Sequence, residues 1–314
     1  MDSSRRLFLA GTGSVVASAA LAGCQKAPAI AARSPRRVER ILHGIPTSDG
    51  DGVRLNRVIG QPALRNLDPF ILLDRFHSDD PDAYIRGFPD HPHRGFETVT
   101  VMLEGRMRHR DSRGNHGVIG GGGAQWMTAG RGIIHSEMPE QEQGLMSGFQ
   151  LWVNLPASEK FCPQFYQDLG RDQLAQGKLG AAGGRISVIA GNVDGLVGPV
   201  RERPTEPLLF TAVLEDDRLT SIDTPEGHTA FVFVGSGGVE IGPDATPVRE
   251  GAIAILGGGR SLEVRAPAER SEILVAAGKP LREPIVQYGP FVMNTEAEIR
   301  QAFADYRAGV LDRG

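Results

Sequence analysis

The chain is poor in cysteine and has no excess of basic residues. Its two cysteines, Cys24 and Cys162, cannot build a disulfide framework if Cys24 has another role. The formal net charge is −4 and the isoelectric point is about 6.1. A disulfide scaffold is therefore excluded, and no basic surface for nucleic acid is expected.

Long apolar stretches with helical periodicity are also few, whereas turn-forming residues are abundant. The sequence contains 41 glycines and 21 prolines. This composition favours many short strands joined by tight turns. With 314 residues, of which 40% are hydrophobic, the chain is long enough for one large domain or two ordinary ones.

The first 24 residues resemble an export signal rather than part of a fold. Arg5 and Arg6 precede an apolar stretch, residues 7–22, that is too short for a comfortable transmembrane helix. The pattern resembles a twin-arginine signal peptide over residues 1–23, ending in a lipobox that leaves Cys24 to carry lipid. The alternative is an N-terminal membrane helix that is never cleaved.

Residues 24–37 combine small and basic side chains, and we expect them to form a flexible tether. With the signal peptide, this predicts a folded part that is exported by the twin-arginine route. It would lie in the periplasm, lipid-anchored at Cys24. We expect a monomer that contacts the membrane only through its lipid and binds no nucleic acid.

A cluster of histidines and glutamates lies between residues 91 and 137. In a strand, residues two apart point to the same face, so His91 and His93 project together, as do His135 and Glu137. Glu97 has the parity of His93 and is a fifth candidate on that face. Three imidazoles and one carboxylate suit a first-row transition metal. Parity alone leaves Glu97 and Glu137 both open as the carboxylate.

The second half of the chain repeats the strand pattern of the first. Strands are predicted over residues 96–103, 107–111, 125–127 and 149–155, and again over 229–235, 239–242, 251–257 and 261–265. The second half has only His228 and no carboxylate cluster, so we expect apolar side chains to fill its interior. Residues 280–295 are predicted to form an arm that covers the other barrel, and residues 299–308 have helical periodicity.

Other notable residues are predicted to be structural. His109 and His116 belong to a charged, glycine-rich segment and are expected to be solvated, and residues 111–123 are expected to form a loop. Trp126 and Trp152 are expected to be core aromatics.

The spacing of the histidines resembles the two sequence blocks of the cupin superfamily. The first block, two histidines around one residue followed by Glu and Gly, corresponds to residues 91–105, and the second to residues 132–135. Longer blocks resemble the pirin family, namely residues 67–70, 88–99, 125–133, 135–138, 151–155, 280–284 and 289–295.

This resemblance implies an all-β fold of two antiparallel jelly-roll (cupin) barrels, a bicupin, with a short C-terminal helix. The N-terminal metal-binding cupin would span residues 38–166. The C-terminal cupin, without metal, would span residues 180–295, and the helix would lie within residues 296–314.

The resemblance also implies roles for the candidate residues. The metal ligands would be His91, His93, His135 and Glu137. Glu137 would then also be a possible proton acceptor. Glu97 would be a partner of the ligands, or the base if the two glutamates exchange roles.

The function implied by the resemblance is a metal-dependent quercetin-type (flavonol) 2,3-dioxygenase. It would use O₂ and one divalent transition metal, with Fe(II) expected and Mn, Co, Ni or Cu also compatible with the ligand set. Its substrate would be a small aromatic or enediol-like molecule. One alternative is a non-catalytic, metal-dependent redox-sensing or partner-binding protein, and another is an isomerase or hydrolase on the same metal.

Overall fold

The computed structural model describes residues 34–179, 184–268 and 270–313. The predicted signal peptide over residues 1–23, the predicted lipidation at Cys24 and most of the predicted tether lie outside the described residues. Within the described part, no helix has the length and apolar character that crossing a bilayer requires.

Short β-strands make up most of the described chain. In the first half they are β1 (Val38–His43), β2 (Ile45–Asp49), β3 (Val53–Ile59), β4 (Phe70–Ser78), β5 (Phe88–His93), β6 (Phe96–Glu104), β7 (Arg106–Asp111), β8 (His116–Gly120), β9 (Ala124–Thr128), β10 (Ile133–Pro139), β11 (Met146–Asn154) and β12 (Phe165–Leu169). Short 3₁₀ helices lie at Pro81–Ala83, Ala157–Glu159 and Arg171–Gln173.

The second half continues with strands and ends in a helix. Its strands are β13 (Ala175–Leu179), β14 (Gly184–Ala190), β15 (Asn192–Val193), β16 (Leu196–Val197), β17 (Leu208–Leu214), β18 (Thr220–Asp223), β19 (Thr229–Ser236), β20 (Gly238–Ile241), β21 (Thr246–Arg249), β22 (Ala252–Leu256), β23 (Ser261–Arg265), β24 (Ser271–Gly278), β25 (Val286–Tyr288) and β26 (Phe291–Met293). Helix α1 (Glu296–Arg307) follows them.

The strands form two antiparallel barrels, each built from two sheets. The first barrel has a seven-stranded sheet, ordered β12-β9-β6-β11-β4-β3-β2, and a four-stranded sheet, ordered β5-β10-β7-β8. The second has a seven-stranded sheet, β1-β22-β19-β24-β17-β14-β13, and a four-stranded sheet, β18-β23-β20-β21. The predicted all-β bicupin with a C-terminal helix is therefore confirmed.

Strand β6 shows how alternation in the sequence serves two purposes. Val99 and Val101 point to the core between the barrels, where they belong to one buried cluster with Phe231 and Leu274 of the second barrel. Thr100 points to the opposite side, into the interior of the first barrel. Because neighbouring residues of a strand face opposite ways, one strand supplies both the barrel–barrel contact and a cavity wall.

Apolar side chains fill the interior of the second barrel, as the sequence predicts. A single buried cluster there includes Val188, Phe210, Val232 and Val275, each inaccessible to solvent. Burial of a side chain of this size contributes about 1.5–3 kcal/mol. The second barrel is thus a packed core that supports the first.

The start of the folded chain differs from the prediction. Residues 34–37, assigned to the tether, are part of the fold, because Arg36 is 1% exposed and its guanidinium donates to Thr224 Oγ1 and to the carbonyl oxygens of Gly257 and Pro225. Strand β1 pairs with β22, so it belongs to the second barrel although it was assigned to the first. Alternation predicts a strand but does not identify its partner.

Strands β13 and β8 also differ from the prediction. Strand β13 pairs with β14, so the second barrel begins before the predicted residue 180. Strand β8 lies in the predicted loop over residues 111–123 and pairs with β7. The glycines of that segment led to the prediction of a loop, although residues within it form a short edge strand.

The C-terminal arm returns to the first barrel, as predicted. Strands β25 and β26 form a hairpin, and Phe291 makes an isolated parallel bridge with Arg94. The buried Lys160 connects the two parts, since its Nζ donates to Gly95 O at 2.8 Å, to Val292 O at 2.9 Å and to Asn154 Oδ1 at 2.8 Å. The C-terminal segment is therefore part of the first barrel's structure.

Helix α1 is held by contacts near both of its ends. Thr295 caps its N-terminus and forms a reciprocal capping box with Glu298. Near its C-terminus, Asp305 Oδ2 accepts a hydrogen bond of 2.6 Å from the buried Arg94. Because Arg94 directly follows His93, the helix also supports the strand that carries the histidines.

The buried Lys160 predicts a specific pH dependence of stability. Burial lowers the pKa of Lys160 to about 8, against about 10.4 in an unfolded chain. Between these values the unfolded state holds a proton that the folded state lacks, so stability rises with pH. We compare the free energy of unfolding of wild type with that of a Lys160→Met variant, measured by urea unfolding. Between pH ~8 and ~10.4 we expect this free energy to rise in wild type by up to about 3 kcal/mol more than in the variant.

The matched control is Lys279→Met, which removes an exposed lysine that pairs with Glu206. Its difference from wild type should be nearly constant over the same range. Parallel stability curves for wild type and Lys160→Met would contradict the prediction.

Candidate metal centre

Three histidines converge inside the first barrel. His91 and His93 lie on β5 and His135 lies on β10, where antiparallel pairing places His135 directly opposite His91. One ligand atom from each ring lies within 4.8 Å of the other two. The ring centroids are 4.4 to 4.9 Å apart. Strand β5 is the edge of its sheet, which accommodates Pro92 between the two histidines.

Each of these rings uses Nδ1 for a neighbouring group. His91 Nδ1 lies 2.8 Å from Pro89 O, His93 Nδ1 lies 3.3 Å from Pro290 O, and His135 Nδ1 lies 3.5 Å from Tyr166 Oη. A carbonyl oxygen only accepts, so Nδ1 carries the proton in His91 and His93. Their Nε2 atoms are then available as ligands.

The environment of the rings fits a bound cation. Burial, and next the neighbouring His91, hold the pKa values of His93 and His135 well below the usual range for histidine. Both rings are therefore neutral at pH 7, which is the form that binds a metal. His135 Nε2 is buried and has no hydrogen-bond partner. This unpaired nitrogen and the nitrogens of the two neighbouring imidazoles together form the donor set that is expected of a metal site.

Glu137 faces the same cavity but is held by other residues. Thr100 Oγ1 lies 3.0 Å from Glu137 Oε1, and Gln150 Nε2 donates to Glu137 Oε2 at 2.9 Å. Among the described residues, the group of mutually close ligand atoms consists of the three histidines. Ligation by Glu137 therefore stays a prediction.

The structure places Glu97 away from the histidines. Gly95, with φ +88°, forms the turn after β5 and ends its extended backbone. Glu97 belongs to β6, which lies in the other sheet. Glu97 is fully buried at the junction of the barrels, where it forms an ion pair with Arg203 and accepts a hydrogen bond of 2.7 Å from Thr128. The expectation of a shared face with His93 is wrong, because parity does not continue across a turn. Glu97 also does not line the cavity.

A large cavity opens beside the histidines. Its volume is about 1070 Å³, at the upper end of the range for small-molecule pockets. Its apolar wall includes Leu72, Phe76 and Trp152, and the C-terminal arm adds Gln287 and Pro290. Trp126 is a buried core residue, as predicted. Trp152 differs, because it lines the cavity and lies 5.1 Å from the His93 ring, measured between centroids.

Sequence reasoning missed a buried histidine next to the site. His109 is 1% exposed rather than solvated, and its Nε2 lies 2.9 Å from Asp168 Oδ2. A signal was present in β7, because its arginines at even positions alternate with Met107, His109 and Asp111. That alternation places His109 on the inward face. Asp168 comes from β12, and its contact could not be read from the sequence.

The fold and the histidine cluster define the class: a bicupin whose first barrel carries a candidate metal site. Residues 52–153 match the pirin family, and residues 209–312 match the pirin C-terminal cupin domain. The chain therefore belongs to the pirin family.

Similar proteins come from both bacteria and animals. A Pseudomonas aeruginosa protein named "Putative quercetin 2,3-dioxygenase" is 49% identical over 282 residues, which cover 88% of this chain and 98% of that protein. Human pirin is 45% identical over 264 residues, which cover 83% of this chain and 88% of human pirin. A solved structure of quercetin 2,3-dioxygenase from Acinetobacter baumannii superposes with a TM-score of 0.82 at 34% identity. The superposition covers 88% of this chain and 99% of that chain.

The geometry predicts that His135 is needed for metal binding. We expect His135→Ala to lower metal content per chain by about tenfold or more, because it removes a buried imidazole nitrogen that has no other partner. Metal content is measured by elemental analysis of the purified protein. His116→Ala, which alters an exposed histidine on β8, is the matched control and should keep the metal. Equal metal content in both variants would rule out the histidine site.

Proposed function

We propose that this pirin-family protein is a metal-dependent dioxygenase that opens the ring of quercetin-type flavonols with O₂. The observation that carries the proposal is the set of three close imidazoles, two of them fully buried and neutral, beside a cavity of about 1070 Å³. The likeness to a solved quercetin 2,3-dioxygenase supports the same substrate class.

The residues that would hold the metal are His91, His93, His135 and Glu137. When bound, a divalent transition metal supplies Lewis acidity toward an enolate oxygen and the redox chemistry that O₂ requires. We propose Fe(II), and the same nitrogen and oxygen donors are compatible with Mn, Co, Ni or Cu.

The cavity walls supply contact surface for a substrate. Trp152 and Phe76 present aromatic surface to a planar substrate, and Leu72 adds apolar area. In such a setting a polar contact with the substrate is stronger than it would be in bulk water.

Glu137 is the residue best placed to accept a proton from the substrate. Its carboxylate reaches the cavity, and Thr100 and Gln150 fix its orientation. The Thr100 hydroxyl has one proton but faces two acceptors, Glu137 Oε1 at 3.0 Å and Gln150 Oε1 at 2.7 Å. When it donates to the nearer acceptor, Gln150 Oε1, Glu137 Oε1 keeps a lone pair for a proton from a flavonol hydroxyl.

The test is oxygen consumption on adding quercetin to the metal-loaded protein. We expect O₂ uptake in step with loss of quercetin absorbance, and loss of both in His93→Ala because a ligand is missing. His116→Ala again serves as the matched control. Uptake no greater than that of His93→Ala would instead favour a non-catalytic, metal-dependent sensing or partner-binding protein. Turnover under argon would indicate an isomerase or hydrolase.

We also propose that the protein is exported and anchored in the periplasm through lipid on Cys24. The support is the sequence pattern of residues 1–24, which resembles a twin-arginine signal with a lipobox. We expect wild type to sediment with membranes and Cys24→Ser to appear in the soluble fraction or to keep its signal peptide, because the lipid attachment atom is lost. Equal partitioning and equal mass of the two mature proteins would contradict lipidation.

A further inference from the structure

Tyr166 lies between a metal-ligand candidate and the pair formed by the buried His109 and the exposed Asp168. Its Oη is 3.5 Å from His135 Nδ1, the outer limit of a hydrogen bond. Its ring stacks on His109, with centroids 5.6 Å apart and planes 12° from parallel. His109 Nε2 in turn lies 2.9 Å from Asp168 Oδ2. One continuous set of contacts therefore runs from His135 to the barrel rim.

The topology of the barrel explains how this set is assembled. Tyr166 and Asp168 are two residues apart on β12, so both project from the same face of that edge strand. They reach across the interior to His135 on β10 and His109 on β7, which are neighbouring strands of the opposite sheet. The two sheets are thus connected at this point by polar contacts instead of apolar packing alone.

The histidine–aspartate pair is closely confined. Gln125 Nε2 donates to the second carboxylate oxygen of Asp168 at 2.8 Å. Gly117 passes so close that an added Cβ would lie 2.6 Å from Asp168 Oδ2 and 2.7 Å from His109 Nε2. The His109 ring therefore has little room to rotate, and it offers Tyr166 a fixed surface.

We propose that Tyr166 is a positioning residue for His135, and that the His109–Asp168 pair holds Tyr166 in place. In this role the Tyr166 hydroxyl oxygen accepts a hydrogen bond from His135 Nδ1–H, which leaves Nε2 free to face the metal. This inference rests on the metal site of the proposed function. Tyr166 lies outside the proposed ligand set, and we infer that it determines how tightly His135 binds the metal.

His135 differs from the other two histidines in what orients it. Backbone carbonyl oxygens, from Pro89 and Pro290, face the Nδ1 atoms of His91 and His93. For His135 the corresponding group is a side chain. A point mutation can therefore remove the partner of His135 without altering the backbone, which makes the role of Tyr166 directly testable.

The experiment measures the affinity of the metal-free protein for Co(II) by competition with a chromophoric chelator, and records the visible ligand-field spectrum of the Co(II) form. Loss of a hydrogen-bonded partner of a ligating histidine typically weakens metal affinity by about 10–100-fold. We expect a loss in that range for Tyr166→Phe, with a changed Co(II) spectrum. We expect a smaller loss for Asp168→Asn, because it weakens the contact to His109 but leaves the phenol.

Tyr84→Phe is the matched control, because Tyr84 is also buried and loses one hydrogen bond, to Gly144 O, away from the cavity lining. It should leave both affinity and spectrum unchanged. An affinity of Tyr166→Phe within about twofold of wild type, with an unchanged spectrum, would overturn the inference. So would a wild-type protein that fails to bind Co(II). Because no substrate is present, the inference can hold even if quercetin is not turned over.

Discussion

The antiparallel pairing of β5 with β10 is the interaction on which the site depends. It places His135 opposite His91, while the two-residue spacing of β5 brings His93 to the same side. Backbone hydrogen bonds fix this register, and a slip of one residue would turn His135 to the other face. Strand β10 also pairs with β7, so the register is held from both sides. The ligand geometry is therefore a property of the sheet rather than of a loop.

Segments distant in sequence complete this arrangement. The carbonyl of Pro290, from the C-terminal arm, faces His93 Nδ1, and the same arm lines part of the cavity. Lys160 and the contact between Arg94 and Asp305 attach the arm and α1 to the first barrel. The C-terminal arm thus orients a candidate ligand, His93, that lies about two hundred positions earlier.

The sequence predicted the two-barrel fold and the histidine cluster because both depend on local alternation and on a recurring motif. It did not place Glu97, because a turn at Gly95 changes the face that parity implies. Alternation in β7 signals that His109 points inward, but the sequence did not identify its partner, Asp168 of β12. It assigned β1 to the wrong barrel, because a strand's apolar pattern does not name its neighbour. The Glu97 error is local, whereas the other two arise because long-range pairing is not encoded in any single segment.

Both ends of the described chain cross to the other half of the molecule. Strand β1 completes the sheet of the second barrel, whereas β26 and α1 pack against the first. Between the barrels, Val99, Phe231 and their neighbours form one continuous apolar layer. Separating the two halves would therefore leave each half without a strand or helix that the other half carries. It would also expose this apolar layer to water. The two halves therefore depend on each other for complete sheets and for a buried apolar layer.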